Sequence, residues 1–277
     1  MLIEALTWLT TPSPDWARQA GYLRELIAIQ ARHRRWRDQW APHLEASRKA
    51  IEQAAMRCTK RRHAVVYGSG LLLDIPLEGL TRGFGEVTLV DAVHLRSTRR
   101  KARQYANVNF IEADISGVAA GLLLGAAKGA DRLPRPTPPT FTEQEDVDLI
   151  ISANLLTQLP LTPCRFLSRH LNLPMAELDL FARRIMQAHL DHLARMNAVC
   201  CLIAETRIQH VLPDGQIQGS TDPLHGLALP PASNSWQWTV APLGEVSHAY
   251  TVRNNVAAAI TMPQCSDSAA NRRGASP

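Results

Sequence analysis

The apolar positions of this chain gather into short runs, each closed by glycine or an acid. His63-Ala-Val-Val-Tyr67 ends at Gly68-Ser69-Gly70, Val87 to Val90 ends at Asp91, and Val108 to Ile111 runs out at Asp114. Val147 to Ser152 and Ala198 to Ala204 are two further runs. Runs of this length suit strands buried on both faces, as in a parallel sheet. The stretches between them are long enough for helices, so residues 63–116 predict a β-α-β-α-β order. Ligands of such sheets bind beyond the carboxyl ends of the strands, where the strand order reverses. Gly68, Ser69, Gly70, Asp91 and Asp114 all belong at those ends.

Ahead of the first run the period changes to that of helices. Ser13-Pro14 predicts a helix start, with Ser13 as cap and Pro14 at the first helical position. Trp16, Leu23, Leu26, Ile27, Trp36 and Trp40 form one face, and Pro42 ends this helix or opens the next, over His43 to Cys58. After Asp91 a helix is expected over Ala92 to Tyr105, with Arg96, Arg99, Arg100 and Arg103 on a watery face and His94 as a partly buried surface residue. A small-residue helix over Ser116 to Ala130 and a proline-rich loop over 131–146 follow. Met175 to Met196 predicts a long helix, and residues 215–231 a loop punctuated by glycine and proline. Ser235 to Val240 and His248 to Ile260 predict a closing antiparallel hairpin. The division expected is an N-terminal helical cap over 1–60, a Rossmann-like domain over 61–260, and a disordered tail over 261–277.

Composition narrows the field without naming a function. The chain has 277 residues, 45% of them hydrophobic, which is enough for a full core. No run approaches the roughly 18 apolar residues of a membrane span. No secretory signal stands at the start, and the five cysteines show no metal or disulfide spacing. These features suit the cytoplasm. The net charge of +5 permits an acidic partner without demanding one. Nucleic acid is possible through the arginines around Trp36 and Trp40, but a solvated basic face over packed tryptophans is preferred. His189 and His192 share a helix face without a third ligand, so no metal is proposed.

The chemistry of the strand ends is specific. Gly68 and Gly70 permit a tight turn and a close backbone approach. A helix following them would offer N–H groups to polar or anionic atoms. Asp91 is placed to accept ribose hydroxyls, and Asp114 to accept from an adenine amine. At these residues the chain resembles the class I S-adenosylmethionine-dependent methyltransferases. That resemblance implies a doubly wound, mostly parallel seven-stranded sheet with a C-terminal antiparallel hairpin. It also implies S-adenosylmethionine held by Gly68, Ser69, Gly70, Asp91, Asp114 and Asn154, and a methyl acceptor that the residues leave unidentified. Two positions depart from the family pattern: Val66 where an acid is usual, and Leu72 where a glycine often stands. Asn154 and Gln158, in the turn after the fourth strand, are placed to orient the acceptor, and Glu205 is a candidate general base or a partner for Arg207. The alternatives are a non-catalytic nucleoside-binding protein on the same fold and, third, a nicotinamide-dependent oxidoreductase. The last would want glycine at 73, where the chain has Leu73, and its sheet usually lacks the closing hairpin.

Overall fold

The computed structural model describes residues 2–128, 133–139, 146–171 and 173–263. Its centre is a sheet of eight strands: β1 (His63–Tyr67), β2 (Glu86–Asp91), β3 (Val108–Glu112), β4 (Val147–Ala153), β5 (Val199–Val211), β6 (Ile217–Thr221), β7 (Asn234–Ala241) and β8 (Thr251–Thr261). The order is β3-β2-β1-β4-β5-β8-β7, with β6 paired to β5. β1 to β5 lie parallel, while β6, β7 and β8 join antiparallel. This is the Rossmann-like arrangement with a closing hairpin that the apolar pattern predicts, plus one strand. β6 falls where a loop was expected. Its side chains are almost all exposed, so no apolar alternation marks it. β5 continues well past Ala204 to pair with it.

The period of two in β1 divides the interior. Ala64 and Val66 face one core, and Val65 and Tyr67 face the other. The first core is closed by α4 (Arg37–Met56), through Trp40, Leu44 and Ile51, and by α5 (Leu77–Gly83). The second is closed by α7 (Ala119–Lys128), α8 (Leu161–His170) and α9 (Met175–Arg195), with Phe181, Ile185 and Met186 of α9 at its centre. A third, smaller cluster joins α2 (Asp15–Ala20) and α3 (Tyr22–Arg35) to Ala92, Val93 and Leu95, just beyond β2. α1 (Leu2–Thr10) precedes them.

Several helix boundaries depart from expectation, each for a local reason. The N-terminal helix does not run on to Pro42. Gly21, at φ 99°, ends α2 in the left-handed region, and its N–H bonds the Ala17 and Arg18 carbonyls. Trp36, at φ −121°, separates α3 from α4, and Pro42 lies inside α4. Ser13 does not cap α2; its hydroxyl accepts from Arg18 Nε at 3.2 Å. The helix after β2 shrinks to α6 (Arg96–Ala102), and one of its arginines leaves the watery face. Arg99 pairs with Glu112 at 2.6 Å and lies over the Phe110 ring. His94 is fully buried rather than at the surface, and bonds Ser69 Oγ at 3.0 Å. Of the proline-rich segment, residues 133–139 form neither helix nor strand, and the Thr137 N–H donates to the Gly117 carbonyl. The tail from 264 lies outside the described residues.

Candidate functional site

A cleft of about 810 Å³ opens at the carboxyl ends of β1, β2, β4 and β5, where the strand order reverses between β1 and β4. Gly68, Ser69, Gly70, Asp91, Asp114, Asn154, Gln158 and Glu205 all line it. The structure therefore brings these candidate cofactor and acceptor residues to one cavity, whereas Arg207 lies outside its lining.

The glycine loop is braced from beneath. Gly68 and Ser69 donate their N–H groups to the Val90 carbonyl, and Gly70 donates to Asp91 Oδ2 at 2.7 Å. Both glycines have positive φ, 72° and 47°, and a Cβ on Gly68 would stand 3.0 Å from Leu155 Cβ. Leu72, two residues on, is itself left-handed at φ 55° and buried. That is the backbone for which glycine is the low-cost choice. No helix starts at this loop. α5 begins only at Leu77, behind Pro76, so the expected helix N-terminus is displaced from the cleft. With the N–H groups of 68, 69 and 70 all engaged, the loop offers shape rather than an anion nest.

Asp91 is half-buried, and desolvation pushes its carboxyl up. Oδ2 accepts from Gly70 and Oδ1 from the Ala92 N–H at 2.7 Å. A carboxylate has about four lone-pair sites, and with the Val93 backbone bearing on it as well, about one is left for a ligand hydroxyl. Asp114 differs. It accepts from Ser116 N and Oγ, Val118 N, Ala119 N and Tyr22 Oη, so its acceptor capacity is already filled at the start of α7. Burial and the neighbouring Asp114 in turn push the Tyr22 hydroxyl up. The residues at this end thus fit a ribose better than they fit an adenine amine on Asp114.

The other end, under β5, β7 and β8, was largely unforeseen. Asn154, left-handed at φ 52°, donates through Nδ2 to Asp74 Oδ2 at 2.7 Å, and its Oδ1 is buried without a partner. Gln158 folds back, its amide donating to the Asn154 carbonyl at 2.6 Å. Glu205 is buried and accepts from the Thr157 hydroxyl. Arg207, its suggested partner, instead donates to Ser220 Oγ. Desolvation pushes the carboxyls of Asp74 and Glu205 up, and for Glu205 the charge of Asp74 adds to this.

The wall opposite is aromatic. His43 stacks on Trp238, with ring centroids 4.0 Å apart and planes 8° from parallel, and Trp40 meets Trp238 edge-on. Trp236 Nε1 donates to His43 Nδ1 at 3.0 Å, which fixes the neutral tautomer with its proton on Nε2. Burial holds His43 down at about 3. Asp74, His43, Trp238 and Asn254 were missed because they come from a loop, a helix and two antiparallel strands. The available signal was aromatic pairing: Trp40 and His43 at helical spacing, Trp236 and Trp238 at strand spacing. The tryptophans near the arginines are also engaged, Trp40 Nε1 on the Val240 carbonyl and Trp36 Nε1 on Glu245. His189 and His192, buried, bond Ser152 and Tyr67. Among the described residues, no helix is long and apolar enough to cross a membrane.

The α3 helix roofs the cleft. Tyr22 reaches Asp114 at its start, Glu25 pairs with Arg165, and Arg32, Arg35 and Trp36 converge on Glu245 in the β7–β8 turn.

No protein-family model and no curated protein matches the chain. Among solved structures it is similar to a complex of DhpI with SAH, at 12% identity over 83% of this chain and 93% of that one, with a TM-score of 0.34. It is similar to the N-methyltransferase NodS from Bradyrhizobium japonicum WM9 in complex with S-adenosyl-L-homocysteine, at 9% identity over 77% and 86%, TM-score 0.34. It is also similar to the 23S rRNA methyltransferase ErmE, at 12% identity over 78% and 69%, TM-score 0.30. At these levels the likenesses are distant, and the fold stands on the sheet itself.

Proposed function

We propose that the protein is an S-adenosylmethionine-dependent methyltransferase of the reducing cytoplasm. The observation that carries this is Asp91. It ends β2 beside the strand-order switch, is tied to Gly70, and lines the cleft, where a ribose hydroxyl can reach it. Gly68, Ser69 and Gly70 would set the floor under the methionine part, Asp91 would hold the ribose, and Asp114 would shape the adenine end through the start of α7. When bound, the cofactor supplies an already activated methyl group. The chain's own task is then to bind the acceptor, aim it and exclude water. Asn154 and Glu205 are the residues best placed to do so, and the α3 roof excludes water.

A second reading, a nucleoside-binding protein without turnover, is favoured by the filled acceptors of Asp114. Calorimetric titration with S-adenosylmethionine, S-adenosylhomocysteine and NADH tests the cofactor site, and methyl transfer from labelled S-adenosylmethionine separates the two readings. We expect the first two alone to bind with micromolar Kd, about −8 kcal/mol. Binding of NADH alone would sink the proposal.

A further inference from the structure

The acceptor end of the cleft is rich in hydrogen-bond acceptors and poor in positive charge, although the chain as a whole is basic. Carboxylates outnumber guanidinium groups in the lining, and both lining arginines are already paired, Arg32 to Glu245 and Arg165 to Glu25. Arg48, the guanidinium that bears on Asp74, donates to the Leu73 carbonyl and to Glu45.

Within this end lie two carboxylates, Asp74 and Glu205, both lining the cleft, and the charge of Asp74 bears on Glu205. Two amide oxygens sit beside them without partners: Asn154 Oδ1 and Asn254 Oδ1, on residues 7% and 6% exposed that line the cleft. Buried acceptors are rarely left unmade, and each costs about 1–3 kcal/mol if it stays so. Asn254 pairs across the strands with Trp238, whose ring lies in the aromatic wall. Trp238 Nε1 is also buried without a partner. His43, neutral and stacked on that ring, adds no charge to repel a cation. Acceptors and carboxylates together suit one kind of group, an N–H-bearing cation, through charge-assisted hydrogen bonds, with the tryptophans as an apolar wall beside it.

We propose that this end of the cleft is a subsite for a primary or secondary amine carried on an aromatic or aliphatic body. Asp74, Glu205, Asn154 and Asn254 receive its N–H groups, and Trp40 and Trp238 wall its apolar part. That this amine is the methyl acceptor rests on the methyltransferase reading; that the subsite binds it does not. As acceptor, the ammonium first passes a proton to the Glu205 or Asp74 carboxylate. The freed nitrogen lone pair then forms the N–C bond while the methyl–sulfur bond breaks with its electron pair going to sulfur. A sulfonium and an amine become a thioether and a methylammonium ion, and the proton passes on to water.

The test is calorimetric titration of the full chain, without cofactor, with benzylamine, 2-phenylethylamine and tryptamine beside the alcohols of the same skeletons. Tryptophan fluorescence serves as a second readout for the benzyl and phenylethyl compounds. The expected result is that at least one amine binds about tenfold or more tighter than its alcohol, and that Glu205→Gln removes this preference while S-adenosylhomocysteine binding stays within about twofold. Asp74→Asn is the second variant, should Glu205→Gln fail to fold. Amines that bind no better than their alcohols, or an amine preference that survives in the folded variant, would overturn the subsite. Loss of the S-adenosylhomocysteine arm with the amine arm intact would overturn the methyltransferase reading and leave the subsite standing.

Discussion

The two ends of the cleft treat their polar groups in opposite ways. At the glycine-loop end nearly every donor and acceptor is matched within the chain: the N–H groups of 68 to 70 on Val90 and Asp91, and Asp114 at the start of α7. At the β5–β8 end, Asn154 and Asn254 keep buried oxygens without partners beside two carboxylates. The first end is preorganised by its own hydrogen bonds and recognises by shape and one carboxylate. The second carries two amide oxygens that lack donors and an indole N–H that lacks an acceptor, groups that a ligand is suited to fill.

The largest test of this contrast is pH. His43, at the second end, is held neutral, down to about 3, while its unfolded pKa is about 6.5. The unfolded state therefore binds more protons at any pH between these values. The His43 contribution to stability is full above about 6.5 and falls by about 1.4 kcal/mol per pH unit towards 3, with buried His189 adding in the same direction. Urea unfolding of the wild type and of His43→Phe across this range should show a shallower acid slope in the variant; equal slopes would remove His43 from the account.

Next in size is Asp91 against Asp114. Asp91→Ala should weaken S-adenosylhomocysteine binding by about ten- to a hundredfold, the worth of about 1.5–3 kcal/mol for hydrogen bonds to a charged group. Asp114→Ala should instead lower stability by about 1–2 kcal/mol, through lost helix-start bonds and an orphaned Tyr22 hydroxyl, with less effect on affinity. Thermal denaturation and calorimetry on both variants decide it, and a reversed pattern would exchange the two roles. The smallest effect is expected from Glu245→Gln. Glu245 is held down at about 2, chiefly by its hydrogen bond from Arg35. This largely surface cluster is worth about 0.5–1 kcal/mol, read as faster amide exchange in the second half of α3.

The chain showed β1, β2 and β4 plainly because they are largely buried on both faces and closed by Gly68, Asp91 and Asn154. Those residues lie at strand ends, so the site at the switch point was legible with them. The second end was legible only in part, through Asn154, Gln158 and Glu205. Asp74 sits in a loop without a motif, and His43, Trp238 and Asn254 meet only through packing between elements far apart in sequence. Their chemistry depends on burial and pairing, which periodicity does not encode. β6 escaped for the opposite reason, since an exposed strand carries no apolar alternation. The break at Gly21 was available in principle, as glycine is the residue a left-handed cap demands.

α3 is fastened differently along its length. Leu23, Leu26 and Ile27 near its start pack on the residues beyond β2, whereas its end is held by ion pairs to one glutamate. Apolar packing is insensitive to salt and exposed ion pairs are not. Raised salt should therefore loosen the Glu245 end of α3 before its start, although Ile29 and Trp36 still pack there on the first core. A ligand at the acceptor end of the cleft would feel that loosening first, and one beside Tyr22 last.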